Sequence, residues 1–243
     1  LNSEALLEID RKLDFKNGVL YKHVIVKDEK GRETLLESRR LAGMQQPHLA
    51  AISYSLTPLN YAGEITLRSM LDGDIINSGV DRYKQLNQQH LAPVEEAGHG
   101  NMSYVLVKTT QSDVKIAMAA RLSLSLGNEG KVPDFKVVTR PSCAESTVIL
   151  QVLQGEAIQL EKIVAIFTSQ DNGVVNELTA AQREVTLSRS FEALLQQNTD
   201  AWAKIWEKID ITIEGDRLAL RQRPRIVSSR SGSDSGSAGV GSA

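Results

Sequence analysis

Residues 114–126, with the sequence VKIAMAARLSLSL, decide the fold class of this chain. Apolar side chains occupy every second position from Val114 to Leu126, and the positions between them are mostly polar or small. Successive side chains of a β-strand point to opposite faces. This alternation therefore predicts a strand with one buried face and one more hydrated face.

Similar patterns recur through the first two thirds of the chain. They predict further strands at residues 19–26, 52–56, 65–71, 104–110, 147–153 and 157–168. Short turn-forming sequences such as Lys16-Asn17-Gly18 separate these segments. Many strands with short turns and no helices between them predict a mainly β protein, an antiparallel β-sandwich over residues 1–170.

One long segment, Asn77–Gly100, is polar and has no regular period. We therefore expect it to be a surface loop rather than a strand or a helix. Loops of this length often carry function, so this segment is the candidate functional loop of the sandwich.

The apolar period changes after Asn176. A helix of about five turns is predicted from apolar residues three, four or seven positions apart, with Ser190 as its N-cap. These residues are Phe191, Leu194, Leu195, Trp202, Ile205, Trp206 and Ile209. A weaker helical pattern covers residues 177–187, so we assign residues 171–208 to two linker helices. Both tryptophans lie on the apolar stripe, and we expect them to pack on the sandwich or on a further domain.

Composition excludes several classes of protein. The 243 residues include 28 Lys and Arg, 30 Asp and Glu, and one cysteine, Cys143. The near balance of charge gives no general reason to bind nucleic acid or an anionic membrane. No apolar stretch approaches the roughly 18 residues of a membrane span, and no signal peptide is recognisable, so we expect a cytoplasmic location. A single cysteine cannot form an internal disulfide.

The C-terminal stretch has a different composition. Residues 217–243 contain five arginines, and the last sixteen residues are mostly Ser, Gly and Ala. A basic arm that binds nucleic acid is one interpretation. We favour the other, a disordered tail outside the fold, because this composition cannot bury enough apolar surface to offset the entropy of ordering.

No catalytic or metal site is recognisable in the sequence. His90, Glu95, Glu96 and His99 cluster in the predicted loop, but their spacing does not place two imidazoles on one helical face. We interpret them as solvated loop residues.

Three other candidates also have simpler interpretations. Asp72 and Asp74 fit a turn better than a calcium loop or a glycosidase acid–base pair. Cys143 has no histidine near it in sequence, which argues against a nucleophilic role. We assign no catalytic, cofactor-binding or metal-binding residue.

Four motifs follow one another along the chain. RKLDFKNGVL stands at residues 11–20 and RRLA at 39–42. The third motif runs from Leu56 to Asn77 and includes LTPLNY and ITLRSMLDG. The fourth is AWAKIW at residues 201–206, followed by DITIEGD at 210–216. In order and spacing, this set resembles the N-terminal β-sandwich and linker helices of glycoside hydrolase family 65.

The resemblance implies an enzyme family that cleaves α-linked disaccharides such as maltose, trehalose or kojibiose. Most members are inverting phosphorylases that use inorganic phosphate as the nucleophile, and some are hydrolases of the acid trehalase type. The resemblance implies no other cofactor, and a parent enzyme that is a homo-oligomer. The family's catalytic glutamate and phosphate-binding residues lie in an (α/α)₆ barrel, and residues 209–216 correspond to the start of the junction with it.

The sequence departs from the family at both ends. Residues 217–243 stand where the barrel should begin, and the family's first sandwich strands should precede Leu1. We therefore expect a truncated, non-catalytic portion, with a sandwich incomplete at its N-terminus. Disaccharide and phosphate would bind through the barrel, with the 77–100 loop near the mouth of the active site.

Two alternatives remain open. One is a free-standing sandwich that binds carbohydrate, although only 5% of the residues are aromatic. The other is a hydrolase, either a fragment of the acid trehalase type or an independent enzyme using carboxylates of this chain.

Overall fold

The computed structural model describes residues 5–76, 89–126, 134–209 and 227–230. Twelve strands and two helices lie within these ranges. The strands are β1 (Leu6–Asp14), β2 (Val19–Lys27), β3 (Glu33–Ala42), β4 (Leu49–Pro58), β5 (Gly63–Asp72), β6 (Leu91–His99), β7 (Met102–Thr109), β8 (Lys115–Leu126), β9 (Lys136–Arg140), β10 (Cys143–Val152), β11 (Ile158–Thr168) and β12 (Val227–Arg230). The helices are α1 (Glu177–Leu187) and α2 (Phe191–Ile209).

Nine strands form one large antiparallel sheet in the order β12-β1-β2-β3-β4-β11-β8-β7-β6. The segment that decided the fold class is β8, and it pairs with β11 over its full length, from Ile158 opposite Leu126 to Thr168 opposite Ile116. The predicted strand is confirmed, but its second face is not hydrated: Leu122 and Leu124 are buried on the apolar face, whereas Ala117 and Ala119 are buried under the helices on the opposite face.

A smaller sheet of three strands, in the order β5-β10-β9, packs on one face of the large sheet. Leu122 and Leu124 of β8 meet side chains of β10, and a second cluster forms around Val105 and Val107 of β7. Both clusters exclude apolar surface from water between the two sheets. The fold is therefore an antiparallel β-sandwich, as predicted.

The two helices cover part of the opposite face of the large sheet. Ala181 and Val185 of α1, with Phe191 and Leu194 of α2, pack on apolar side chains of the central strands. Asn176 caps α1, because its side chain accepts a hydrogen bond from the Thr179 backbone N–H at 2.7 Å. Neither α1 nor α2 has the length and apolarity required to cross a membrane.

The prediction of a loop over Asn77–Gly100 is wrong in its second part, because Leu91–His99 forms strand β6. β6 lies at the end of the large sheet and pairs only with β7 in the described part of the chain. An irregularity between Pro93 and Glu95 shifts its register. Such a shift breaks the alternation that would mark a strand in the sequence. Residues 77–88 lie outside the described residues.

One other expectation fails near the C-terminus. Ile209, the last residue of the predicted apolar stripe, is the last residue of α2, and residues 210–216, assigned to the junction, lie outside the described ranges. Within the stretch predicted to be a disordered tail, Val227–Arg230 forms β12 and pairs with β1. Backbone pairing with an open sheet edge does not require a strongly apolar sequence, which is why composition did not indicate this strand.

Candidate functional site at the junction of helix α2 and the sandwich

The turn between β1 and β2 receives the C-terminal half of α2. Asp14 shapes this turn, since its Oδ1 accepts hydrogen bonds from the backbone N–H groups of Lys16 and Asn17 at 3.0 and 3.2 Å. Gly18 follows with φ at +65°, a conformation that favours glycine. The Asp14 hydrogen bonds and the Gly18 conformation together define the shape of the turn against which α2 packs.

Both tryptophans of α2 contact this turn. The indole Nε1 of Trp206 donates a hydrogen bond to the carbonyl oxygen of Lys16 at 3.0 Å. Trp202 lies so close to Gly18 that a Cβ there would stand 2.3 Å from its Nε1. The motif at residues 11–20 and the motif at 201–206 therefore contact each other. Of the two expected partners of the tryptophans, the sandwich or a further domain, the structure shows the sandwich.

Asn198 fixes α2 one turn earlier. It is 1% exposed, its amide nitrogen donates to the carbonyl oxygen of Asn17 at 2.8 Å, and its amide oxygen accepts from the backbone N–H of Met44 at 2.8 Å. Buried amides are costly unless both ends are satisfied. Asn198 thus connects the β1–β2 turn to the β3–β4 turn through the helix.

The first turn of α2 is held by charged groups of the large sheet. Glu161 of β11 accepts a hydrogen bond from the Phe191 backbone N–H at 3.2 Å, where a carboxylate complements the helix dipole. Arg39 of β3 forms an ion pair with Glu192, and its guanidinium carbon lies 4.8 Å from the centre of the Phe191 ring. The helix is therefore fastened at its beginning as well as along its second half.

The connection between the two helices is also fixed to the sheet. Arg121 of β8 donates to the carbonyl oxygens of Thr186, Ser188 and Arg189 at 3.3, 2.8 and 3.3 Å. These acceptors lie at the end of α1 and in the turn that follows, where carbonyl groups lack helical partners. Arg121 thus orients α2 by fixing the segment that leads into it.

A polar groove of about 400 Å³ opens on the same sheet face, beside the N-terminal end of α2. Lysine, histidine, carboxylate and hydroxyl groups line it, including Lys12, Tyr21, His23, Glu37 and Arg39. His23 Nδ1 lies 3.4 Å from Glu37 Oε1. The groove offers hydrogen-bond donors and acceptors suited to a polar ligand.

The structure separates the charged residues that cluster between residues 90 and 99. Glu95 accepts a hydrogen bond from the Tyr104 hydroxyl at 2.7 Å, whereas Glu96 accepts one from the Ser142 backbone N–H at 3.3 Å. Within the ranges described, no three His, Cys, Asp or Glu residues are placed to hold a metal ion. His90 and His99 are thus not brought into a metal cluster with these carboxylates.

The structure also places the other three candidates, Asp72, Asp74 and Cys143, in environments that do not indicate a catalytic or metal site. Asp72 Oδ1 accepts from the Asp74 backbone N–H at 2.9 Å, as in a turn, and Asp74 Oδ1 accepts from the side-chain amide of Gln89 at 3.0 Å. Cys143 is fully buried, and burial raises the pKa of its thiol. A raised pKa disfavours the reactive thiolate.

Sequence reasoning missed the polar residues that hold α2. Asn198 carried a usable signal, because it occupies a position of the apolar stripe between Leu194 and Trp202. A polar residue at such a position indicates a buried hydrogen-bond partner. The sequence gave no such signal for Arg39, Glu161 and Arg121, because their partners are distant in sequence and are brought near only by the folded sheet.

The family comparison agrees with this arrangement of sandwich and helices. The model of the N-terminal domain of glycosyl hydrolase family 65 matches residues 1–205. The chain belongs to glycosyl hydrolase family 65. The matched range ends within α2, so it includes the β1–β2 turn, strands β1 to β11 and most of the helix that form the junction.

Relatives in this family include disaccharide phosphorylases. The chain is 32% identical over 233 residues to a kojibiose phosphorylase of Caldanaerobacter subterraneus subsp. tengcongensis, covering 89% of this chain and 29% of that protein. It is 26% identical over 231 residues to an α,α-trehalose phosphorylase of Thermoanaerobacter brockii, covering 91% and 29%. The chain thus spans less than a third of the length of these curated relatives.

A solved structure has the same fold. It is a protein of the human microbiome assigned as a kojibiose phosphorylase, with a TM-score of 0.71 and 18% sequence identity. The match covers 88% of this chain and 27% of that one. This likeness shows the fold, a β-sandwich followed by two helices.

Proposed function

We propose that this chain is the non-catalytic N-terminal region of an inverting α-disaccharide phosphorylase, and that it acts as a scaffold for the catalytic domain. One observation carries the proposal: α2 is fastened to the sandwich from Phe191 to Trp206. A helix fixed along its length sets the direction in which the polypeptide continues. The region would thereby hold a catalytic domain in a defined orientation.

The relatives support this class of reaction. Proteins matched over about nine tenths of this chain are a kojibiose phosphorylase and an α,α-trehalose phosphorylase. The full-length protein would cleave an α-linked glucose disaccharide of the kojibiose, trehalose or maltose type, with inorganic phosphate as co-substrate and no other cofactor. It would work in the cytoplasm as a homo-oligomer, without nucleic acid or membrane partners. The alternative within this proposal is that the full-length protein hydrolyses the disaccharide, as enzymes of the acid trehalase type do, instead of using phosphate.

A carbohydrate-binding module is the second candidate function. The polar groove beside α2 favours it, because Tyr21 stands among hydrogen-bonding side chains there. Sugar-binding sites commonly combine an aromatic face with such groups. In this case the chain would bind a saccharide in the groove without transforming it.

Incubation of the purified chain with kojibiose, trehalose or maltose and inorganic phosphate separates these functions. The scaffold role predicts no glucose 1-phosphate and no free glucose above a control without protein, and no saturable binding in calorimetry. Release of either product would contradict it. Saturable binding that is lost in Tyr21→Ala but kept in Tyr61→Ala, a tyrosine outside the groove, would support the module instead.

A positive test uses a chimera. The corresponding region of the Caldanaerobacter kojibiose phosphorylase would be replaced by this chain through the end of α2. Gly18→Ala, which forces Trp202 away, should lower kcat of the chimera at least tenfold more than Gly155→Ala does. Equal kcat values for both chimeric variants would contradict the scaffold role.

A further inference from the structure

The sequence Asn-Gly-Val occurs twice in this chain, at residues 17–19 and 172–174. An asparagine followed by glycine can lose its side-chain amide, because glycine has no Cβ to hinder the approach of its backbone nitrogen. That nitrogen attacks the asparagine Cγ and expels ammonia, which leaves a succinimide ring. Water then opens the ring and yields aspartate or isoaspartate. Because the two sites share the local sequence, their structural surroundings decide which of them reacts.

Asn17 is held on both sides of the reacting atoms. Its Nδ2, which would leave as ammonia, donates to Asp14 Oδ2 at 2.8 Å. Its carbonyl oxygen accepts from Asn198 Nδ2 at 2.8 Å, and Trp202 stands against Gly18. The succinimide ring would fix the backbone in a geometry that turn residues do not adopt, so ring closure requires the peptide group between Asn17 and Gly18 to turn. Asn198 and Trp202, both in α2, oppose that movement.

Asn172 lies in an exposed turn between β11 and α1. Both Asn172 and Gly173 are exposed, and a Cβ added to Gly173 would meet no atom within 4 Å. Gly173 has φ at +78°, close to the +65° of Gly18. The two glycines thus share a backbone conformation and differ in what packs on them. Asn172 is therefore the internal reference for Asn17.

Deamidation of Asn17 would alter the surface that receives α2. An aspartate at this position cannot donate a hydrogen bond to Asp14, and the two carboxylates would repel each other. Isoaspartate adds a methylene to the main chain, which shifts the carbonyl away from Asn198 and Gly18 away from Trp202. Either product therefore fits α2 less well than asparagine does.

We propose that Asn17 is a deamidation site controlled by α2. While α2 packs on the β1–β2 turn, ring closure is suppressed. When the helix separates from the turn, Asn17 reacts, and the product weakens renewed packing of the helix. A temporary loss of the junction thereby becomes permanent. This modification goes beyond the scaffold role and requires no catalytic activity of the chain.

The first test measures the rate of deamidation at both sites. The purified chain is incubated in mildly alkaline buffer, either native or unfolded in urea, then digested with pepsin at acid pH and analysed by mass spectrometry. In urea we expect similar rates at Asn17 and Asn172, and we expect folding to slow Asn17 at least tenfold more than it slows Asn172. Asn198→Ala should accelerate the reaction of Asn17 at least tenfold and leave that of Asn172 unchanged. Gln196→Ala, on the exposed side of α2, is the control and should change neither rate.

The second test measures what the product does to the helix. Asn17→Asp mimics the aspartate product, and Asn172→Asp is the matched control with the same change of charge. Backbone amides of α2 should exchange hydrogen at least tenfold faster in Asn17→Asp than in Asn172→Asp.

Three results would each overturn the proposal. They are equal slowing of both sites by folding, an Asn17 rate unchanged by Asn198→Ala, and equal exchange of the α2 amides in the two aspartate variants. Circular dichroism verifies that each variant is folded. If Asn198→Ala does not fold, the comparison of native with unfolded chain and the exchange measurement decide.

Discussion

Trp206 donates its indole hydrogen to the carbonyl oxygen of Lys16 at 3.0 Å, and 190 positions of sequence separate the two residues. Lys16 belongs to the turn between the first two described strands, and Trp206 lies in the last turns of α2. A single contact thus ties together the two ends of the sandwich and helix unit. The stability of the junction can be tested through the residues around this contact.

Removal of this hydrogen bond should weaken the junction while the aromatic ring continues to fill its place. Trp206→Phe keeps an aromatic ring but loses the donor, so we expect the free energy of unfolding to fall by about 1 kcal/mol in urea denaturation. Trp202→Phe is the control, because within the described residues the Trp202 indole has no hydrogen bond. An equal loss in both variants would show that ring size, and not the hydrogen bond, matters.

Gly18 should tolerate a side chain less well than other glycines of similar backbone conformation. Gly155 has φ at +77° and no atom within 4 Å of an added Cβ, so Gly155→Ala should cost about 1–2 kcal/mol from backbone strain alone. Gly18→Ala carries the same strain and also displaces Trp202. We expect a larger loss of unfolding free energy for Gly18→Ala, together with a change in tryptophan fluorescence. Equal losses and unchanged fluorescence would contradict the packing described.

Asn198 should be more important for stability than its polarity suggests. Asn198→Ala leaves the Asn17 carbonyl and the Met44 N–H without their partner, and we expect a loss of about 2–3 kcal/mol in the free energy of unfolding. Gln196→Ala, on the exposed side of α2, is the control and should change stability by less than about 0.5 kcal/mol. A loss for Asn198→Ala as small as that of the control would refute the buried bridge.

Lys162 should make stability depend on pH in the alkaline range. Burial lowers the pKa of this ammonium group below its ordinary value of 10.5. The unfolded chain then binds more protons than the folded chain between the lowered pKa and 10.5, so the contribution of Lys162 to stability rises with pH in that window. The measurement is the difference in unfolding free energy between the unmodified chain and Lys162→Met at several pH values. A difference that stays constant or falls as pH rises would be inconsistent with the buried lysine.

The fold class followed from the sequence although both faces of β8 are covered. The face toward the helices carries small or polar side chains such as Ala119 and Ser123, and the face toward the small sheet carries larger apolar side chains such as Leu122. The sequence of β8 therefore still alternates, and buried positions alternate with more exposed ones in β10 from Ser146 to Val152. β1, with the sequence LLEIDRKLD, was not predicted. Its side chains Asp10 and Lys12 line the polar groove, in a part of the sheet that no helix covers. A strand that is hydrated on both faces lacks the periodic signal.

The junction could be predicted only in part. The apolar stripe of α2 indicated that its tryptophans pack on something, and the structure identifies the β1–β2 turn as that surface. The turn itself was recognisable from Asn17-Gly18. The partnership between turn and helix was not, because it depends on long-range packing that brings distant segments together. The periodicity of a segment shows which of its side chains are buried, but it does not show which other segment covers them.

Hydrogen exchange can show whether the sandwich and α2 form one cooperative unit. We expect backbone amides of α2 from Leu194 to Trp206 to be protected within about tenfold of the amides in β2 and β8, and Trp206→Phe to lower protection in α2 and in the β1–β2 turn together. Exchange of the α2 amides several orders of magnitude faster than those of β8, with the turn unaffected by the substitution, would contradict it.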